Sequence, residues 1–245
     1  MFLQGQRPSF GFGAILTPVG KQMLIMYASI YVVVLICEHW LAIPIYGLLA
    51  LSPPGSGFFH FWQIVTHPLV HDPGAPIGFL INCLVFYFFA GTIESALGTR
   101  RFITLYCIAA AGAIIVGLLF SSLAAFRFPY AGMMASLLAL IVIFGLLNPE
   151  ATILLMFVLP IKAKYISYGT IVVTALTFLA KANVHGAYHL GGILFAYLYF
   201  RPPGHFLNAN WWRWKYFEFT QKRRRSRFTV IDGKNKDNND KPTIH

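Results

Sequence analysis

The feature that most restricts what this chain can become is a succession of six apolar runs, at residues 22–43, 77–97, 102–123, 132–147, 166–180 and 184–200. A helix needs about 20 apolar residues to cross a bilayer, and inside lipid its backbone must bond to itself. With 57% hydrophobic residues and only 11% charged, the chain is too apolar for a soluble domain, where about a quarter of residues are charged. The expected fold class is therefore an all-α polytopic membrane protein with six spans, embedded in the lipid bilayer.

Charge sets the expected orientation. Six spans place both termini on one side. With the termini inside, Arg7, Lys21, Arg100, Arg101, Lys162, Lys164 and the basic tail face the cytoplasm, and only Arg127 and Lys181 face out. The outer loop, residues 52–76, carries no Lys or Arg, so the asymmetry follows the positive-inside rule. The net charge of +11 thus reads as a topology signal, and no nucleic acid partner is expected. In the tail, Trp211, Trp212 and Trp214 suit an interfacial belt. Beyond them Lys222, Arg223, Arg224, Arg225 and Arg227 are expected to meet anionic lipid head groups, and the polar remainder is expected to be disordered.

The expected organisation is a cytoplasmic leader at 1–21, a membrane domain at 22–201 and a juxtamembrane segment with tail at 202–245. No basic, apolar and small-residue signal-peptide pattern opens the sequence, so the first run is read as an uncleaved insertion signal. Cys37, Cys83 and Cys107 each sit within an apolar run, which indicates neither a disulfide framework nor a metal site.

Between the runs, Pro53-Pro54-Gly55 opens the outer loop. There Phe58, Phe61, Trp62 and Val65 recur at helical spacing, as in a piece lying in the interface. Residues 151–165 are broken by Pro160, Lys162 and Lys164 and read as an interfacial connector open to extended backbone. In the last run, His189, Gly192 and Ala196 share one helix face. Small residues let a neighbouring backbone approach, so the imidazole is expected in a tight helical seam. An ionisable group inside a span marks a functional site by default; the plainer alternative is a histidine satisfied by a backbone carbonyl.

Several stretches taken in order resemble the rhomboid family of intramembrane serine proteases. Trp62-Gln63, followed by Thr66, His67 and His71, resembles the family's Trp-Arg motif and the histidines after it. Asn82 sits where the second span has its Asn, and Glu94, Gly98 and Arg101 are similar to the end of that span and its turn. His189-Leu-Gly-Gly192 looks like the His-x-x-Gly of the last span. The match runs from about Trp62 to Arg201 and implies a rhomboid-like six-transmembrane-helix bundle. In that family a serine at the start of the fourth span attacks the peptide carbonyl. The last-span histidine takes its proton, and an Asn and a His of the second span stabilise the oxyanion.

By that resemblance His189 is the retained base and Asn82 the retained oxyanion Asn, with Trp62, His67 and His71 in the substrate-side loop. Counting back from Pro149 puts Met134 at the nucleophile position, and a thioether can neither lose a proton nor attack an amide. The oxyanion histidine, four residues before Asn82, is Gly78, and the loop arginine is Gln63. One lost oxyanion donor typically costs ~10²–10³ in rate; a lost nucleophile removes the covalent route. Ser136 lies two residues past Met134, turned by about 200° on the helix, so its hydroxyl should face away from His189 and either bond its own i−4 carbonyl or line a packed seam.

Structural readings stand beside the functional ones. Asn82 could bridge helices, Glu94 could pair with Arg100 or Arg101 or cap local backbone, and Trp62 could anchor the interface. His67 and His71, at i and i+4, lack a third ligand, so no metal and no cofactor are expected. The favoured expectation is a pseudoprotease that binds or handles transmembrane client proteins without cleaving them. The alternative is an active rhomboid-type serine endopeptidase using Ser136. A channel or transporter is disfavoured by the short chain and the lack of paired intramembrane charges. A prokaryotic plasma membrane fits the compact form.

Overall fold

The computed structural model describes residues 16–123, 129–155, 159–181 and 184–201. Arg7, Arg127, Trp211, Trp212, Trp214 and the basic cluster at 222–227 lie outside the described residues. Local chemistry starts and stops the helices. Thr17 caps α1 (Pro18–His39) by accepting from the Gly20 N–H at 3.3 Å, with Pro18 in the first turn. A five-residue helix, α2 (Ile45–Leu49), and a four-residue one, α3 (Gln63–Thr66), punctuate the outer loop. Pro76 opens α4 (Pro76–Leu97), which ends at Gly98 with φ +81. The chain then turns directly into α5 (Thr99–Leu123). A second turn at Gly132, φ +107, leads into α6 (Met134–Leu147).

The segment expected to be a connector is an antiparallel hairpin, β1 (Thr152–Leu155) with β2 (Leu159–Lys162), in register Thr152 to Lys162. It runs straight into α7 (Ala163–Lys181), so the fifth helix begins three residues before the expected 166. The final helix, α8 (Val184–Phe200), has the expected bounds. Lys162 and Lys164, expected only as topology charges, both donate to Glu150, at 2.7 and 2.5 Å. Those two bonds hold the exposed Glu150 carboxyl down at about 2.

Among the described residues four helices are long and apolar enough to span a membrane, namely α1, α4, α5 and residues 163–180 of α7. The two remaining helices of the expected six are shorter: α6 has 14 residues and α8 has 17. At 1.5 Å per residue α6 is about 21 Å long. Its position explains this, because α4, α5, α7 and α8 all pack on it. A helix walled in by other helices has little lipid to match along its length.

The widest interface joins α5 and α8, and glycines make it. A β-carbon on Gly117 would meet the Tyr188 ring at 2.1 Å, and one on Gly191 would meet the Gly112 carbonyl oxygen at 2.4 Å. Lipid gives helices no hydrophobic reason to associate, so close backbone approach supplies the attraction. Ala196 is fully buried in the main core, with Phe86, Phe102, Leu140 and Ile143.

Glu94 is buried with neither the arginine nor the local backbone expected of it as partner. Its carboxylate accepts from the Thr17 hydroxyl and from Thr99 Oγ1, the latter at 2.7 Å. The capping threonine of α1 is thereby tied to the end of α4 and the start of α5. Hydroxyls reach inward here, whereas Arg100 and Arg101 remain exposed.

Candidate functional site

The outer loop is organised by Gln63, which is fully buried. Its Oε1 accepts from the N–H groups of Ser52 (3.1 Å) and His60 (3.2 Å). Its Nε2 donates to the carbonyls of Phe58 (3.0 Å), Leu48 (3.4 Å) and Gly47 (3.5 Å). Trp62 Nε1 donates to Leu48 O at 2.9 Å and Thr66 Oγ1 to Leu49 O at 2.7 Å. The last carbonyls of α2 therefore receive their partners from α3. The four loop positions read as an interfacial stripe, Phe58, Phe61, Trp62 and Val65, are exposed as expected, although only 63–66 is helical.

This loop is bound to the start of α6. Leu51 and Tyr130 exchange both backbone hydrogen bonds at 2.8 Å, and Gly132 N–H donates to His67 O at 2.8 Å. His67 Nδ1–H is shared between the Gln63 and Ile64 carbonyls, 3.1 Å each. Burial holds this imidazole down at about 4, so it is neutral near pH 7.

Tyr130 is the hub that sequence reasoning missed. Its ring stacks on Tyr188 at 4.0 Å between centroids and lies 6.0 Å from His189, 5.7 Å from His185 and 5.9 Å from His67. Its hydroxyl is buried with no hydrogen-bond partner among the described residues, and burial pushes the phenol well above its usual range. A tyrosine two residues before a glycine turn was the available signal.

His189 projects from α8 toward Tyr130, within the seam expected of it. One turn along, a β-carbon on Gly192 would lie 3.0 Å from Ala135 Cβ of α6. No hydrogen bond joins His189 to Asn82, Met134 or Ser136 among the described residues. Met134 is the first residue of α6 and is 38% exposed. Ser136 is buried and gives its hydroxyl to the Tyr106 carbonyl of α5 at 3.2 Å. It therefore bonds the neighbouring helix and not the carbonyl four residues back.

His71 is drawn in from the loop. A β-carbon on Gly78 would sit 3.6 Å from its Nε2, and one on Gly132 would sit 3.5 Å from its Nδ1. Tyr31 and Phe79 complete the surround, with ring centroids 5.9 and 5.6 Å away. Burial lowers its pKa from the ordinary imidazole value. His67 and His71 face different neighbours, and among the described residues no group of three metal-binding side chains forms.

Chemically, the site holds imidazoles and an amide beside a thioether and a committed serine. Such groups accept and donate hydrogen bonds; forming an acyl-enzyme needs an activated hydroxyl or thiol. The sequence matches a family model described as Rhomboid domain over residues 59–202. No curated protein matches the chain.

Proposed function

Because this chain belongs to the rhomboid family of integral, multi-pass membrane proteins, we propose that it binds transmembrane segments of client proteins without cleaving them. The observation that carries this reading is the fate of the hydroxyls at the start of α6. Position 134 is a thioether, and the one serine nearby, Ser136, is spent on Tyr106 O at 3.2 Å. His189, in the place of the family's base, has no nucleophile to activate.

Two further features support holding a client. First, α4 and α7 both pack on α6 but have no substantial packing on each other, which leaves a lateral approach to α6 from the bilayer. Second, the Asn82 amide makes no hydrogen bond among the described residues. An unpaired polar group at membrane depth is costly until something bonds it.

On this reading both termini are cytoplasmic in a prokaryotic plasma membrane, and 222–227 tethers the tail to anionic lipid at about 1 kcal/mol per basic residue. Binding of a tail peptide to anionic vesicles, lost when the basic residues become Gln, checks that assignment.

The purified protein is expected neither to cleave a model rhomboid substrate nor to react with a fluorophosphonate. Probe labelling that disappears in Ser136→Ala would establish the protease reading instead.

A further inference from the structure

An apolar groove of about 330 Å³ runs between α1 and the outer loop. Ile30, Val33 and Val34 of α1 form one wall, and Ile45, Leu69 and Val70 form the other. Ser29 and Thr66 border it as well, but Thr66 gives its hydroxyl to Leu49 O at 2.7 Å, and the lining surface is apolar. The first wall belongs to a helix long enough to span the membrane, and its Val33 is 52% exposed. The medium facing the groove is therefore hydrocarbon.

Size selects among the occupants. One turn of a helix, 10–12 Å across and 5.4 Å high, fills about 400–600 Å³, so a client helix does not fit. A methylene group takes up about as much room as a water molecule, roughly 30 Å³. A run of about eleven, most of one acyl chain, fills the groove. Moving a chain from bulk lipid into an apolar groove gains no hydrophobic energy, so any selectivity must come from the head group.

The mouth of the groove supplies it. Glu38 follows Val34 by one turn on the same face of α1, and helical side chains lean back over the preceding turn. Its Oε1 accepts from the N–H of Tyr46, beside Ile45, at 2.7 Å, which holds the carboxylate across from α1 to α2. Among the described residues no cation pairs with Glu38, since both ion pairs lie at Glu150. The sequence from Gln22 to Thr99 contains no Lys or Arg to compete for it. Trp40, 85% exposed two residues further on, marks the head-group level.

We infer that this groove holds one acyl chain of a phospholipid with a primary ammonium head group, phosphatidylethanolamine, whose N–H donates to Glu38. An ammonium makes charge-assisted hydrogen bonds to a carboxylate; a choline head group has no N–H to give. The bound lipid ties α1 to the outer loop along a face that the protein's own side chains leave open.

Native mass spectrometry of the purified full chain tests this. The protein is delipidated in detergent and titrated with phosphatidylethanolamine or phosphatidylcholine of identical chains. Both lipids are net neutral, so the basic tail does not choose between them. One phosphatidylethanolamine should be held about tenfold more tightly, the effect of one charge-assisted hydrogen bond. Glu38→Gln keeps an acceptor for Tyr46 but removes the charge, and should hold the two lipids alike. Val33→Trp fills the groove from a lipid-facing position and should lose the retained lipid. Ile25→Trp adds the same ring two turns away, at a site 55% exposed, and should keep it.

Equal retention of the two lipids by the unmodified protein overturns the inference. So does a preference that survives Glu38→Gln, or retention that survives Val33→Trp. If Glu38→Gln does not fold, a methylation series decides. Singly and doubly methylated head groups keep an N–H and should be held like phosphatidylethanolamine, with the loss falling at the third methyl; an even decline across the series counts against the inference. A single-span peptide that displaces the lipid from the unmodified protein would make this face a client seat and overturn the assignment.

Discussion

Replacing Gly191 by Ala tests whether the α5–α8 seam is what holds the bundle closed. The new β-carbon would lie 2.4 Å from the Gly112 carbonyl oxygen and 2.7 Å from Val116 Cβ. Ordinary contact begins near 3.4 Å, so the shortfall against the oxygen is about 1 Å. A side chain could swing away from such a clash. A helical carbonyl cannot, so the two helices must separate along the seam. Overpacking of this kind typically costs about 1–3 kcal/mol, and the backbone obstacle places this site in the upper half. The helix gains about 0.5–1 kcal/mol from Ala over Gly, which leaves a net loss of about 2 kcal/mol.

Gly169 on α7 is the matched control, since a β-carbon there meets nothing within 4 Å. Gly169→Ala should be neutral or stabilising by up to about 1 kcal/mol. Unfolding of both variants in mixed micelles, followed by circular dichroism across an SDS titration, reads the difference. If Gly191→Ala falls within about 0.5 kcal/mol of Gly169→Ala, close backbone approach is not what stabilises this seam.

Gln63→Ala should loosen the outer loop by about 3 kcal/mol, because buried backbone groups lose their partners; faster proteolysis at 52–62 with an unchanged helical core checks it, and equal rates refute it. His67 titrates near 4 in the fold against 6.5 in the unfolded chain, so its neutral form is the one the fold prefers. Loop stability should be complete above pH 6.5 and fall by up to about 3 kcal/mol as pH drops to 4. Trp62 fluorescence would follow this, and an identical pH profile in His67→Asn would exclude His67 as the cause. Reporter fusions at Gly57 and His245 should show opposite accessibility from outside, and equal labelling would overturn the proposed orientation.

Elements set by local pattern were legible from residues alone. The apolar run of α8, the proline that opens α4 and the Asn148-Pro149 stop after α6 need no distant partner, and they fall where expected. What escaped reading depends on who meets whom in space. Glu94 was matched to the nearest arginines in sequence, but a residue 77 positions away, Thr17, reaches it. Tyr130 looked like one loop aromatic among many until Leu51 fixed its backbone and α8 brought two histidines to its ring. The imidazole of His71 at Gly78 was equally hidden, since the loop's path between them is set by tertiary bonds and not by spacing. The five-residue α2 carries too few turns for periodicity to reveal.

The glycine seam also constrains the order of assembly. During synthesis α6 emerges after α4 and α5 but before α7 and α8, which supply much of its cover. The bridge between Leu51 and Tyr130 likewise joins segments made far apart in time. A nascent chain halted after α7 would hold an unsheathed central helix and an outer loop with nothing yet to clasp it from α8's side. Completion of the last helix is thus the step that seals the protein, and truncation there leaves exposed apolar surface of the kind that makes unfinished chains prone to aggregate.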